Sequence, residues 1–340
     1  MKRVFPNTVD QSHPGPPIAS RGVSLRSAHF IRPLLLAAAA AAAALLRPEP
    51  IAADLLWVIA LVIIGMPHGA FDVAVIHYQV KSRGGRAAAM TAVIYTLLTA
   101  VAAACFVFLP GATVVVFLLL SAHHFGVSDC VWTRGRAIRS ASDHIIGLSH
   151  GVAALAVPFI SSPGEAWSPF LKIANVAGGA MSVDASMTRW VAATLWIAAI
   201  LVQIVVWISR RADARVIEQA GVILGVTLLG LTAPPLLAVG VYFLVVHALG
   251  HCLRADAQCR VSESPGIANA LLVHWRSAPL SIPSIGIVVI IAAMVFGDVS
   301  LSSVALAFLL FCVIGTLPHH LLWLSAFGPL RAQPEIRGVD

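Results

Sequence analysis

The chain has 340 residues, of which 59% are hydrophobic and only 11% are charged, and its mean hydropathy is +0.90. Soluble domains carry about 25% charged residues, so this composition excludes a soluble globular protein and indicates an integral membrane protein. The formal net charge of +7 does not indicate nucleic-acid binding, because membrane topology explains where the basic residues fall.

Apolar runs long enough to cross a bilayer recur along the chain. A hydrocarbon core of about 30 Å needs about 20 apolar residues per helix, so the sequence predicts an all-α, polytopic membrane helix bundle of about ten spans. The predicted spans, with approximate bounds, are 31–46, 51–68, 88–109, 111–127, 143–160, 189–208, 216–233, 235–252, 278–296 and 301–325. The longer segment at 161–188, which begins SSPGEAWSP, is predicted to be an external loop.

The first run, IRPLLLAAAAAAAALL, has two interpretations. It is short and rich in alanine, so a cleaved signal sequence competes with a true span. The segment ahead of it is longer than a usual charged leader and contains HPGPP, which is typical of a disordered tail. We therefore predict a disordered cytoplasmic tail at 1–30, a single transmembrane domain at 31–325 and a cytoplasmic tail at 326–340.

The distribution of basic residues predicts the orientation of the bundle. With both termini in the cytoplasm, cytoplasmic segments hold all of the 22 Lys and Arg residues except Arg47, Lys172 and Arg189. Cytoplasmic loops of membrane proteins carry such an excess of positive charge. We expect a multi-pass protein of the cell inner (plasma) membrane with both termini cytoplasmic.

Histidines are concentrated in the apolar runs, although an imidazole is costly to place inside a membrane. The predicted topology brings nine of the 13 histidines into the cytoplasmic leaflet. These residues are His68, His123, His124, His144, His150, His247, His251, His319 and His320. Ionisable groups in one leaflet favour a shared site over isolated packing roles.

One pair of histidines has the spacing of metal ligands on a helix. His247 and His251, in VVHALGH, are four residues apart, so on a helix they share a face and can present two nitrogens to one point. Paired imidazoles suit a metal ion. We take this pair, together with His68 and His124, as the candidate metal ligands.

The neighbouring histidines keep more than one interpretation. His123 is an alternative ligand to His124, because adjacent helical residues point about 100° apart. His319 and His320 belong either to an outer shell around the metal or to helix packing. His144 is predicted to be an interhelical hydrogen-bond partner rather than a ligand.

Two aspartates and one deeper histidine lie close to the candidate ligands. Asp72 lies one turn from His68 on a helix, and Asp129 follows the second histidine run. Carboxylates commonly orient metal-bound imidazoles, so we assign both to that role, with a helix-end carboxylate as the alternative. His150, nearly two turns beyond His144, is a further candidate for the outer shell.

Five short motifs, in order along residues 55–325, resemble the Brp/Blh family of bacterial and archaeal β-carotene 15,15′-dioxygenases. The motifs are PHGAFD (67–72), HFGVSD (124–129), SHGVAALAVPF (149–159), YFLVVHALGH (242–251) and PHHLL (318–322). Matched motif to motif, the resemblance implies that the iron ligands are His68, His124, His247 and His251. It also implies an Fe(2+) enzyme that cleaves β-carotene with O2 at the central double bond to give two retinals.

The resemblance further implies an apolar carotenoid substrate that reaches the site from the lipid bilayer, and a retinal-binding opsin as a possible acceptor of the product. Aromatic side chains beside the ligands are candidates for the lining of a substrate tunnel, with ordinary helix packing as the alternative for each. These side chains are Phe71, Phe125, Tyr242 and Phe243.

Two other function classes remain as alternatives. The histidine doublets also fit a membrane di-iron desaturase or hydroxylase, although such enzymes usually hold more histidines in cytoplasmic segments. A non-enzymatic metal or retinoid transporter would instead spread ionisable residues across the membrane depth. The number of iron ions per chain, one or two, separates the first alternative from the dioxygenase.

Overall fold

The computed structural model describes residues 25–60, 85–134, 140–179, 181–210, 214–248 and 278–327, together with Gly65, Gly69, Gly250 and Trp275. The regular structure of these residues is helical, which confirms the predicted all-α fold class. The elements in chain order are α1 (Leu25–Leu46), α2 (Pro50–Ala60), α3 (Gly85–Phe108), α4 (Pro110–Arg134), α5 (Ala141–Leu155), α6 (Val157–Ser161), α7 (Pro163–Val176), α8 (Ala185–Arg210), α9 (Ala214–Thr232), α10 (Pro235–Tyr242) with a π-helical turn (Phe243–Ala248), a 3-10 turn (Ala278–Ser281), α11 (Ile282–Val295) and α12 (Leu301–Phe327).

Four of the described helices are long and apolar enough to cross a membrane by length and composition. They are Gly85–Phe108, Pro110–Cys130, Ala185–Ser209 and Leu301–Leu322. Shorter apolar helices occupy Ile31–Leu46, Val216–Thr232, Pro235–Ala248 and Ile282–Val295. These helices are those of a membrane protein, whereas the count of ten spans and the cytoplasmic termini stay predictions.

The outer faces of the long helices are apolar. On α8, for example, the side chains of Trp190, Val205 and Ile208 are 73%, 65% and 76% exposed. Isolated exposed apolar residues are ordinary in soluble proteins, but a continuous apolar face along a whole helix is the surface that lipid tails cover.

α1 packs along α9 and belongs to the bundle. Arg32 of α1 and Glu218 of α9 are both buried and form an ion pair in which Arg32 Nε donates to Glu218 Oε1 at 2.9 Å. The two helices lie so close together that a Cβ added at Gly225 of α9 would be 2.7 Å from Leu36 Cβ of α1. This packing is expected of a true first span and not of a cleaved signal sequence. α1 also begins at Leu25, inside the segment predicted to be a tail.

The segment at 161–188, which the sequence predicts to be an external loop, contains the helix α7. Pro163 occupies the first turn, where its missing N–H is not needed. One face of α7 buries Phe170, Ile173 and Ala174. Together with side chains of α4 and α12, the first two form a hydrophobic cluster. A short helix with one buried face carries too weak a hydropathy signal to be read as a span.

α4 and α5 touch backbone to backbone, and this contact positions the residues described next. A Cβ at Gly126 of α4 would lie 1.8 Å from the carbonyl oxygen of Gly147 in α5. A Cβ at Gly151 of α5 would lie 1.7 Å from the carbonyl oxygen of Ala122 in α4. Because only glycine leaves room for this approach, the histidines of α4 lie directly against those of α5.

Candidate metal centre

Four imidazoles from two helices meet where α4 and α12 pack together. α4 contributes the adjacent residues His123 and His124, and α12 contributes His319 and His320. His124 Nε2 lies 3.2 Å from His319 Nε2, and His124 Nδ1 lies 3.1 Å from His320 Nδ1. His123 Nδ1 lies 3.0 Å from His320 Nε2. The two doublets, which lie almost 200 residues apart along the chain, therefore form one cluster.

A further imidazole joins this cluster from α5. His123 Nε2 lies 3.0 Å from His144 Nδ1, and the two rings stack with centroids 5.2 Å apart. His144 thus hydrogen-bonds between α5 and α4, as the sequence predicts. We call the resulting series the histidine row. Its members, in order of contact, are His144, His123, His320, His124 and His319.

His247 lies beside the row on the π-helical turn that follows α10. Its side chain is buried, and its ring centroid is 4.9 Å from that of His124. Phe125 and Phe243 cover the same imidazole, with ring centroids 4.4 Å and 5.5 Å from it. π-helical turns are rare and frequent at functional sites. The candidate ligands His124 and His247 are therefore brought together in an apolar enclosure.

A buried carboxylate faces His247. Asp129 Oδ1 lies 3.5 Å from His247 Nδ1, and Asp129 Oδ2 accepts a hydrogen bond from Tyr242 Oη at 2.6 Å. His150 Nε2 lies 4.0 Å from the same Oδ2. A carboxylate on the Nδ1 side of an imidazole holds that nitrogen protonated and leaves Nε2 with the lone pair that a metal needs. Asp129 has the position expected of an orienting residue.

A network of buried polar side chains reaches Cys130, the residue that follows Asp129 on α4. Gln219 Nε2 donates to Gln203 Oε1 at 3.0 Å and lies 3.4 Å from Cys130 Sγ. Gln203 Nε2 donates in turn to Ser149 Oγ at 2.6 Å. The network ties α4, α5, α8 and α9 together around the site. Sequence reasoning missed it, although a glutamine within an apolar span carries the same signal as a histidine.

The other predicted site residues fall into two groups. Phe125 and Phe243 pack on each other and on His247, as candidates for a tunnel lining should. Tyr242 is also in this area, but its hydroxyl binds Asp129, so its contact is with the orienting carboxylate. Four predicted residues lie outside the part of the chain that the structure describes. They are His68, Phe71, Asp72 and His251.

The described residues offer imidazole nitrogens, which are a type of ligand that iron(II) accepts. Imidazole nitrogens bind such ions at about 2.1 Å, so two ligands at right angles lie about 3.0 Å apart. The facing nitrogens of His124 and His319 lie 3.2 Å apart, a separation that also suits a hydrogen bond between the two rings. Within the described ranges, no three His, Cys, Asp or Glu side chains surround a common point. Two of the four candidate ligands lie beyond those ranges.

Comparison with known proteins adds one finding. The profile of the family described as "Beta-carotene 15,15'-dioxygenase" matches residues 59–325, well over half of the chain. This match confirms the resemblance seen in the five motifs. No curated protein and no solved structure shows a significant match. The matched range includes the whole histidine row, His247 and Asp129.

Proposed function

We propose, on the premise that this chain belongs to the beta-carotene 15,15′-dioxygenase family and is a carotenoid-cleaving dioxygenase, that it acts through one Fe(2+). The proposed ligands are His68, His124, His247 and His251. The substrate is β-carotene or a related apolar carotenoid, and cleavage at the central 15,15′ double bond with O2 gives two retinals.

The observation that carries the proposal is the arrangement around His247. Two candidate ligands from different helices, His124 and His247, are buried and have ring centroids 4.9 Å apart. Asp129 lies 3.5 Å from His247 Nδ1 and is itself held by Tyr242. A carboxylate that contacts the Nδ1 side of an imidazole is the usual outer shell of a histidine-bound metal.

The protein contributes position and exclusion of water. Both atoms of O2 end in the two aldehydes, so the overall reaction needs no added proton or electron. A bound ferrous ion would supply the binding and activation of O2, which imidazoles and apolar side chains do not provide. Phe125 and Phe243 enclose the candidate ligands and fit the apolar polyene better than water.

The surroundings of the enzyme follow from the same proposal. An apolar substrate dissolves in the bilayer, so we place the protein in the cell inner membrane, with about ten spans and cytoplasmic termini. The proposed catalytic domain spans 31–325, between tails at 1–30 and 326–340. Retinal released into the lipid would be available to a retinal-binding opsin.

One observation favours a second candidate. The histidine row and His247 together supply six imidazoles, which is more than a single iron site needs. A di-iron desaturase or hydroxylase would use such an excess. The family match supports the dioxygenase, so we rank the di-iron enzyme second.

The experiment that tests the proposal combines metal analysis with product analysis. The protein is purified from cells supplied with iron, and a matched sample is expressed in cells that accumulate β-carotene under ¹⁸O2. We expect about one iron per chain, loss of the orange colour and retinal labelled with ¹⁸O. Two irons per chain with a desaturated or hydroxylated lipid would favour the second candidate. Longer apocarotenals would place the cleavage away from the centre.

A further inference from the structure

Two buried glutamines connect the helices that carry the candidate site. Gln203 of α8 and Gln219 of α9 are both buried. Gln203 Nε2 donates to the backbone carbonyl oxygen of Ile146 at 2.9 Å and to Ser149 Oγ at 2.6 Å. Gln219 Nε2 donates to Gln203 Oε1 at 3.0 Å and lies 3.4 Å from Cys130 Sγ. We call these two side chains the glutamine bridge, because they link Ser149 of α5 to Cys130 of α4.

The direction of the bonds in the glutamine bridge follows from the backbone. A carbonyl oxygen only accepts hydrogen bonds, so the Gln203 atom that faces Ile146 is the amide nitrogen. The amide oxygen of Gln203 therefore faces Gln219, and the Gln219 atom that meets it must be the nitrogen. Both side chains thus have one orientation, in which the amides match each other as donor and acceptor.

The glutamine bridge and the candidate site use neighbouring residues on the same two helices. On α4, Cys130 contacts the bridge and Asp129 faces His247. On α5, Ser149 contacts the bridge, and His150 Nε2 lies 4.0 Å from Asp129 Oδ2. Adjacent side chains of a helix point about 100° apart and turn together. A rotation of α4 that breaks the contact at Cys130 therefore also displaces Asp129.

A small rotation of α4 is enough to disturb Asp129. An α-helix with its side chains has a radius of about 5–6 Å, so a rotation of about 20° moves its outer atoms by about 2 Å. Asp129 Oδ2 accepts a hydrogen bond from Tyr242 Oη at 2.6 Å, and a hydrogen bond does not tolerate a displacement of that size. The glycine contact between α4 and α5 brings the two backbones together, and the glutamine bridge adds directional bonds to it.

Helix packing alone does not require two glutamines. Polar side chains inside a membrane cost free energy, and apolar side chains of similar shape can replace a buried hydrogen-bonded pair at little cost in stability. The best-attested role of such buried polar groups is to fix the register of packed helices.

We propose that Gln203 and Gln219 are positioning residues for the cleavage of the carotenoid. They hold α4 at the rotation at which Asp129 meets both His247 and Tyr242. The inference rests on the proposed function, in which Asp129 orients His247. It extends the site from α4, α5 and the π-helical turn to α8 and α9.

The test removes the whole glutamine bridge from the purified full chain. The double variant Gln203→Met with Gln219→Met keeps the approximate side-chain length and leaves neither amide buried without the other, so it should fold. Ser161→Ala is the matched control, because it also removes a bond to α9, in which Ser161 Oγ donates to the carbonyl oxygen of Gly230 at 2.8 Å. Far-UV circular dichroism and gel filtration in detergent would verify the fold of each variant.

Tyr242 reports the position of Asp129 without metal or substrate. The chain has three tyrosines, so labelling with fluorotyrosine gives a simple ¹⁹F NMR spectrum, in which Tyr242→Phe identifies one resonance. The chemical shift of this resonance should change in the double variant, because the bond to Asp129 is lost or lengthened. Gln219→Met alone keeps the bonds of Gln203 to α5 and should give a smaller change in the same direction. Ser161→Ala should keep the wild-type shift.

Turnover provides the second measurement. The kcat for β-carotene should fall by about tenfold in the double variant, since outer-shell partners contribute about 10–100-fold at metal sites. Ser161→Ala should keep the wild-type kcat. An unchanged Tyr242 resonance or a wild-type kcat in the folded double variant would overturn the inference. Equal changes in Ser161→Ala would also overturn it, because a general loosening of the bundle would then explain both effects.

The two measurements also separate the inference from the proposed function. If wild type contains one iron and produces retinal while the Tyr242 resonance ignores the loss of the glutamine bridge, the proposed function stands without this positioning role. If the resonance responds but wild type holds no iron and makes no retinal, the proposed function fails, and the glutamine bridge still positions Asp129.

Discussion

Two regions of the bundle bury polar side chains, and they do so in opposite ways. Between α1 and α9, Arg32 and Glu218 bring opposite charges together. Between α4, α5 and α12, the histidine row brings together groups of one kind, none of which neutralises another. The ion pair neutralises its own charges, whereas the ring nitrogens of the row and of His247 are also a type of ligand that a metal ion accepts.

This difference separates a structural polar contact from a functional one. A buried ion pair stabilises helix association through partners that match in charge, and an apolar pair of similar size can replace it at little cost. A cluster of neutral imidazoles can pair its own N–H groups with ring nitrogens, but the same nitrogens are also ligands that a metal cation accepts.

The largest effect is expected at the metal ligands. His247→Ala should lower the iron content and the yield of retinal by more than about a hundredfold, because even partners in the outer shell contribute about 10–100-fold. Metal analysis and chromatography of the products would measure both. His13→Ala, in the predicted tail, is the control and should match wild type. Full iron content in His247→Ala would remove this residue from the site.

The ion pair should respond in a different way. Glu218→Leu should lower the free energy of unfolding by about 3–5 kcal/mol, because it leaves the charge of Arg32 buried opposite an apolar side chain. The double variant Arg32→Leu with Glu218→Leu should be close to wild type in stability and should keep its iron. Thermal unfolding in detergent measures the effect. Loss of iron in the folded double variant would show that the ion pair and the metal site are not independent of each other.

The contact between α4 and α5 is the next most sensitive. Gly126→Ala should destabilise the protein by about 3 kcal/mol, since its Cβ would collide with the backbone of Gly147 and overpacked sites cost about 1–3 kcal/mol or more. Gly286→Ala is the matched control, because nothing lies within 4 Å of its added Cβ. Equal melting temperatures for Gly126→Ala and Gly286→Ala would show that α4 and α5 can move apart at little cost in stability.

A smaller effect is expected at the outer shell. Tyr242→Phe keeps the aromatic ring but removes the hydroxyl that donates to Asp129 at 2.6 Å. The affinity for iron should fall by about tenfold while the fold is kept. Tyr95→Phe on α3 makes the same chemical change and is the control. An unchanged iron affinity in Tyr242→Phe would assign the hydroxyl to packing alone.

The smallest effect concerns the position of cleavage. Phe125 contacts both His247 and Phe243, so Phe125→Ala should broaden the set of aldehyde products while the iron content stays near that of wild type. Phe117→Ala, on the same helix but packed against Phe170, is the control and should keep the wild-type products. Products are separated by chromatography, and an unchanged pattern in Phe125→Ala would exclude it from the tunnel.

Hydropathy and spacing predicted much of the architecture. The apolar runs at 88–109 and 189–208 form α3 and α8. These helices were predictable because a continuous apolar run of about 20 residues is a strong signal for a membrane-spanning helix. The sequence also identified His124 and His247, which the structure places side by side. The roles of His68 and His251 stay predictions.

Other features depend on tertiary contacts that no local pattern contains. The bond from Tyr242 to Asp129 joins residues 113 positions apart, so neither spacing nor composition could indicate it. The doublets were ambiguous because one residue of each was expected to face the site. In the structure, α5 and α12 both pack against α4, so His123 and His124 each find an imidazole partner.

The π-helical turn at Phe243–Ala248 has a consequence for changes in chain length. Such a turn contains one residue more than the α-helical path between the same two points, and each residue of an α-helix advances by about 100°. Deleting a single residue just before His247 would restore the regular winding and carry the imidazole about a quarter-turn away from His124. In this segment, a loss of one codon would therefore do more damage than most replacements of a side chain.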